Sequence, residues 1–252
     1  MAQSCDPIIP RARIGFIIPS SNRMVEPQMQ QFLPAGVIPH FARIGMTNRH
    51  KAPLDQMLPR ITHAAELLAD AKCNVLVLQC TGASMSGGVD MERQVVAEIA
   101  RVAGRPALST ASALNAAFAA LGAKRLVFIS ETKQEEHNRK LLYLREAGYE
   151  LVAERAANLG GTDEYCSTPP RFWYDLASSL RNDAADAYFL SCANIRSIDV
   201  IEDLERELLK PVVTSNQAAI WYSLRAIGIG DHIPALGTLL TLDASVLPAV
   251  AA

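Results

Sequence analysis

The sequence predicts an α/β protein of two pseudo-symmetric halves, each built on mainly parallel sheet, and three observations carry that prediction. Short strand-like runs alternate with helical stretches along the whole chain, in the βαβα order that builds parallel sheets. The strand runs are continuously apolar, rich in Val, Ile, Leu and Phe, as strands covered on both faces are. The third observation is a repeated offset. VLVLQC (75–80) and AYFLSC (187–192) both end in cysteine, and Cys80 and Cys192 lie 112 residues apart. Arg13 opens RIGFIIPSSN and Arg125, again 112 residues on, opens RLVFISETKQ, so the chain resembles itself at a fixed spacing.

Taken in order, RIGFIIP (13–19) is the first strand and PSSN (19–22) the loop at its carboxyl end. ITHAAELLADA (61–71) has helical spacing and precedes the strand at 75–80. ERQVVAEIARVA (92–103) is a helix stopped by Gly104. RPALSTASALNAAFAALG (105–122) is a short strand, a Ser/Thr pair and a helix closed by Gly122. The second half then runs through the strand RLVFIS (125–130), the helix EEHNRKLLYLREAG (135–148), the strand AYFLSC and the helix DVIEDLERELL (199–209). KPVVTSNQAAIWYSLRAIG (210–228) repeats the strand and helix of 105–122, at an offset shortened to about 105. No Pro/Gly/Ser-rich linker or low-complexity tract separates the halves. The expected division is 1–117 with 218–252 as the N-terminal half and 118–217 as the C-terminal half.

Composition narrows the function. With 252 residues, half of them apolar, the chain can bury a substantial core. A formal net charge of −2 leaves no basic stripe for nucleic acid or a membrane surface, which makes a small molecule the expected partner. No run approaches the roughly 18–20 apolar residues of a membrane span, and MAQSCDPIIPRAR lacks the pattern of a secretory leader, so the cytoplasm is expected. Five cysteines (5, 73, 80, 166, 192), without a CxxC or a Cys/His cluster, argue against a disulfide framework or a zinc site. A homo-oligomer is expected on general grounds only.

In parallel sheets ligands bind beyond the carboxyl ends of strands, where Cys80 and Cys192 stand. A pseudo-twofold axis would face them across one cleft. The residues that follow, Thr81 and Gly82 on one side and Ala193 and Asn194 on the other, are small or polar, so their amides can approach a sulfur or a substrate carboxylate. Two opposed thiols can move a proton from one face of a carbon to the other, or add to a double bond and leave after rotation. Neither route needs a metal or an organic cofactor. Ser20, Ser21 and Asn22 would aim neutral donors into the same cleft, or serve as a helix N-cap. Glu26 is placed to brace that loop. Cys5, Cys73, Cys166 and the five histidines read as structural or surface residues, and no Walker or dinucleotide glycine pattern occurs.

RIGFIIPSSNxxxE (13–26), LQCTG (78–82) and LSCANIRS (190–197) resemble the aspartate/glutamate racemase superfamily, within it the branch of maleate cis-trans isomerases and arylmalonate decarboxylases. KPVVTSNQAAIWYSL (210–224) and GTLL (237–240) add weaker support. The resemblance implies two α/β halves about a central cleft, with Cys80 as the nucleophile toward a cis-diacid and Cys192 as its acid/base partner. It also implies carboxylate binding by Asn22 and, more loosely, by Asn158. The decarboxylases keep only the second thiol, so Cys80 points to the isomerases. Two-cysteine racemases or epimerases of acidic amino acids or hydantoin-like substrates remain the rival, and a non-catalytic binding protein the third reading. Where the family carries Pro-Tyr after the strand RLVFIS, this chain has Glu131 and Thr132. Thr132 would donate a shorter hydrogen bond and Lys133 would add charge, while Glu131 would repel a diacid unless turned away. Maleate, or a larger or less charged relative, is the expected substrate class.

Overall fold

The computed structural model describes residues 10–47 and 50–243, which leaves Cys5 outside. The first half runs β1 (Ala12–Pro19), α1 (Val25–Phe32), β2 (Val37–Ile44), α2 (Leu54–Asp70), β3 (Val75–Leu78), α3 (Thr81–Met85), α4 (Gly88–Ala103), β4 (Ala107–Ser109) and α5 (Thr110–Ala120). The second runs β5 (Arg125–Ser130), α6 (Gln134–Glu146), β6 (Glu150–Ala156), α7 (Thr162–Ser167), α8 (Pro170–Ser178), β7 (Ala187–Ser191), α9 (Ile201–Leu208), β8 (Val212–Thr214) and α10 (Ser215–Ala226). The strands form two four-stranded sheets in matching orders, β2-β1-β3-β4 and β6-β5-β7-β8. Every pairing is parallel. The fold is the two-sheet α/β arrangement that the repeated offset predicts.

Local chemistry explains the match. β3 and β7, at the middle of their sheets, are buried at every residue, so the continuous apolar runs have both faces covered. After β4, Ser109 caps α5 in a reciprocal capping box with Ser112; after β8, Thr214 caps α10 the same way with Gln217. These two helices pack on each other. Phe118 of α5 meets Phe189 of β7 edge-on at 5.6 Å between ring centroids, so one apolar core joins the sheets. A second core lies under α2 and α4 and includes Ile17, Leu78 and Cys73. Among the described residues, no helix is long and apolar enough to cross a membrane.

Several elements depart from the sequence reading. β2 and β6 are edge strands with mixed burial, so they lack the continuous apolar signal of the central strands. α2 begins seven residues earlier than expected, because Leu54, Met57 and Ile61 continue its buried stripe through Pro59. Hydrogen-bonded strand ends at Leu78, two residues before Cys80, which caps α3 with an extended backbone. Cys166 lies in α7 and not in a loop.

Candidate active site

In each sheet the strand order reverses between the two central strands, and such a switch point opens a crevice at their carboxyl ends. The first sheet delivers Ser21 and Asn22 after β1 and Cys80 after β3. The second delivers Glu131 and Thr132 after β5 and Cys192 after β7. All of these residues line one cavity of about 610 Å³. Its other walls come from Met46, Met57, Met85 and Met91 on the first half, and from Lys140 of α6 and Tyr165 of α7 on the second.

Cys80 is buried, and burial pushes its thiol up; the amides of Ala83 and Gly82 and the ammonium of Lys140 act the other way. Cys192 is pushed up further by burial and next by the carboxylate of Glu131, with the Asn194 amide donating to its sulfur at 3.2 Å. Its φ of 122° lies in the region that favours glycine. Such a conformation persists only where the surroundings hold it. Glu131 and Lys140 form an ion pair of 2.7 Å with side chains 7% and 4% exposed, and Lys140 also donates to Ser191 Oγ at 3.2 Å. Tyr165 is raised by burial and by the nearby acids Glu131 and Cys192, so it faces the cavity as a neutral phenol.

Polar ties beneath the cavity join the halves. Ser215 Oγ accepts from Thr81 Oγ1 at 2.8 Å and from the Cys192 amide at 3.1 Å, so one hydroxyl holds the residue after Cys80 and the backbone of Cys192. Gln79 Nε2 donates to Asn216 Oδ1 at 2.7 Å, and Asn216 Nδ2 donates to the Ala193 carbonyl at 3.2 Å. Asn22 Oδ1 accepts from the amides of Met24 and Val25 at the entry to α1, while its Nδ2 crosses the cleft to Ala193 O at 3.1 Å. Asn194 Oδ1 accepts from the Arg23 amide at 2.8 Å. Glu26 pairs with Arg43, whose guanidinium donates to the carbonyls of Ser20 and Asn22; Glu26 thus braces the PSSN loop through an arginine.

Most of the residues expected in the cleft meet there: Cys80, Thr81, Gly82, Ser21, Asn22, Thr132, Cys192, Ala193 and Asn194 all line the cavity. Three expectations are corrected. Ser20 is exposed and outside it, because its amide is tied to Ile44 O at 2.8 Å at the sheet edge. Asn158 is exposed with φ 59°, and its side chain turns back to Ala156 O at 3.2 Å. Lys133 is an exposed residue at the start of α6, and the charge beside Glu131 comes instead from Lys140, two turns further on. Among the described residues no cluster of three or more His, Cys, Asp or Glu could hold a metal.

The arylmalonate decarboxylase family model matches residues 14–240. The chain belongs to that family. Among relatives it is similar to the maleate isomerase of Nocardia farcinica, 29% identical over 93% of this chain and 97% of that one. It is also similar to the maleate isomerase of Geobacillus stearothermophilus, 26% identical over 91% and 97%. The crystal structure of a maleate isomerase variant from Pseudomonas putida S16 with maleate superposes with a TM-score of 0.85 at 26% identity, covering 91% and 97% of the two chains. A variant of the Nocardia farcinica enzyme with a covalently bound succinylcysteine intermediate superposes with a TM-score of 0.82 at 26% identity, covering 91% and 98%. Arylmalonate decarboxylase itself shares the fold, with a TM-score of 0.81 at 22% identity.

Within this family site, Lys140, Tyr165 and Ser215 escaped the sequence reading. Lys140 sits in a helix rich in charged residues, where nothing distinguishes an inward lysine from outward ones. The Ser/Thr of TSN at 214–216 reads first as a helix cap. Replacing Ser215 by alanine removes the acceptor for the part-buried Cys192 amide. The expected cost is about 1–3 kcal/mol of unfolding free energy, with a lower kcat because the Cys192 loop loses its tie. Urea unfolding and steady-state rates check both.

Proposed function

We propose that this protein is a cofactor-independent cis-trans isomerase of a small unsaturated dicarboxylic acid or a close derivative of one, of the class to which maleate belongs. The observation that carries the reading is that two thiols, each at the end of a matching strand, line one cavity. A Cys80 thiolate adds to one alkene carbon, and the electron pair of the double bond passes to the neighbouring carbon, which takes a proton from the Cys192 thiol. The former double bond is now single and rotates. Cys192 then removes the proton, the double bond re-forms, and Cys80 leaves as thiolate. The succinylcysteine in the Nocardia farcinica structure is the kind of adduct such an addition forms.

The electrostatics support this division of roles. Cys192 has Glu131 beside it and is raised the more, so it keeps its proton and serves as the acid. Cys80 faces the Gly82 and Ala83 amides and feels Lys140 more than Glu131, so it ionises first. Because both thiols are raised, kcat/KM should climb with pH above neutrality as the Cys80 thiolate forms, then fall when Cys192 loses its proton. The result is a bell lying on the alkaline side, whose limbs belong to the coupled pair. A profile already flat at pH 6 would contradict it.

Proton NMR of maleate and related cis-acids incubated with the protein tests the reaction: the alkene signal should convert to that of the trans isomer. Exchange of an α-proton with inversion in D₂O, without any change of alkene geometry, would establish the racemase reading instead. We further propose the division into 1–117 with 218–252 and 118–217, supported by the bidentate pair of Arg11 with Asp231, at 2.9 and 2.7 Å, which ties the chain after α10 to the first half.

A further inference from the structure

Three cations line the cavity (Lys51, Arg139 and Lys140), and three carboxylates face them (Asp55, Glu131 and Glu136). Each cation is already paired. Lys51 meets Glu136 across the cleft mouth, Arg139 is held by Glu135 and Glu136 at 2.7 Å each, and Lys140 by Glu131. A dianion entering here finds no net positive charge, and at its deep end it meets a buried carboxylate next to Cys192. Lys140 offsets part of that repulsion, and what remains acts through a dry interior.

The Glu131–Lys140 pair has a different complement. An ammonium carries three N–H donors; two of Lys140's are spent on Glu131 and Ser191, which leaves one. A carboxylate has lone pairs for about four hydrogen bonds, and Glu131 has given one position to Lys140 and one to the Cys192 thiol, which leaves acceptor capacity toward the cavity. Side by side they offer one donor and one acceptor, which is what a carboxamide needs: its C=O accepts and its N–H donates. A carboxylate satisfies the donor and clashes with the acceptor. The other end of the cavity, at Ser21, Asn22 and Thr81, carries no charge: Thr81 gives its hydroxyl proton to Ser215, Asn22 keeps one amide N–H beyond the one on Ala193 O, and Ser21 shares a hydrogen bond with Thr47.

We infer that the substrate is the half-amide of a cis-butenedioic acid, its carboxamide read by Glu131 and Lys140 and its single carboxylate lying toward Ser21 and Asn22. This rests on the isomerase reading and narrows its substrate class. The orientation also suits the chemistry. Cys80 attacks the carbon next to the carboxylate, and the electron pair moves to the carbon next to the amide, whose carbonyl accepts the Lys140 proton as a hydrogen bond. A neutral amide takes up that charge more readily than a carboxylate, which would become a dianion. The Cys192 thiol, beside Glu131, then protonates that carbon, and the reverse steps restore the double bond with no net change in atoms or electrons. The cavity's 610 Å³ falls within the roughly 300–1,000 Å³ of pockets for larger ligands, so its volume admits a substituent on the amide nitrogen.

The test compares maleate, maleamate and an N-alkyl maleamate as substrates of the wild-type protein by proton NMR. Maleamate should exceed maleate in kcat/KM by roughly tenfold or more, since a site built to pair with an N–H rejects an analogue lacking it. Glu131→Gln replaces the repelling acceptor with an amide that can donate to a carboxylate, so it should lower the maleamate-to-maleate ratio by roughly tenfold or more. A ratio is read because a merely structural defect slows both substrates alike. Should the variant fail to fold, the wild-type ratio alone decides. Maleate turned over as well as or better than maleamate, or an unchanged ratio in a folded Glu131→Gln, overturns the half-amide and leaves the isomerase standing. Turnover of none of the three, with α-proton exchange on an amino acid or hydantoin, overturns both.

Discussion

Replacing Cys80 by alanine is expected to bring isomerisation down to background, and replacing Cys192 by alanine to slow it by roughly 10²–10⁴-fold, the range that a positioned acid or base contributes. The two losses differ in kind. Without Cys80 no sulfur can form the carbon–sulfur bond that turns the alkene into a rotatable single bond, and nothing else on the cavity wall replaces a thiolate there. Without Cys192 addition remains possible, but the neighbouring carbon must exchange its proton with a poorer group. Cys192→Ser should therefore hold substrate on Cys80 long enough for intact-protein mass spectrometry to find one added substrate mass, absent in Cys80→Ala. Both alanine variants should keep the wild-type circular dichroism spectrum. Full turnover by either folded variant would end the two-thiol mechanism.

Lys140→Met is expected to be the most destabilising single change in the cavity. Methionine keeps most of the length of the lysine stem but leaves Glu131 as a nearly buried carboxylate without its cation. Breaking a buried pair on one side typically costs about 3–5 kcal/mol, and a chain of this size loses about 2–4 °C of Tm per kcal/mol. Removing both charges in Glu131→Gln/Lys140→Met should restore a good part of that loss, because the uncompensated charge is gone. A double-mutant cycle by thermal melting checks this. Additive losses would mean that the two side chains act on stability independently.

The fold was legible wherever burial is two-sided. β1, β3, β5 and β7 are continuous apolar runs because helices cover both faces, and their order along the chain exposes the repeat. The edge strands β2 and β6 were not legible, since VIPHFARI and ELVAERA mix polar and apolar residues without either period. At the site, the cysteines could be found because each ends a strand. Ser20 and Asn158 misled because a polar residue in a loop has no period to say which way it points. Arg43 and Ile44 turn Ser20 to the sheet edge, and Asn158 bonds its own strand end.

The sequence by itself determined that two matched βα halves would each bring one thiol to the end of a central strand, because strand burial and helix capping depend on neighbours along the chain. Only the tertiary structure decided what surrounds those thiols. Lys140, from a charged helix, and Glu131, from a strand end, meet at 2.7 Å beside Cys192, and Ser215 reaches both Thr81 and Cys192 from the start of α10. The bond from Thr81 to Ser215 joins residues 134 positions apart. The energetics of such pairings depend on distance through a dry interior and not on spacing along the chain: the Glu131–Lys140 pair forms within the second half once α6 packs, and the Thr81–Ser215 bond only once the two sheets have closed on each other.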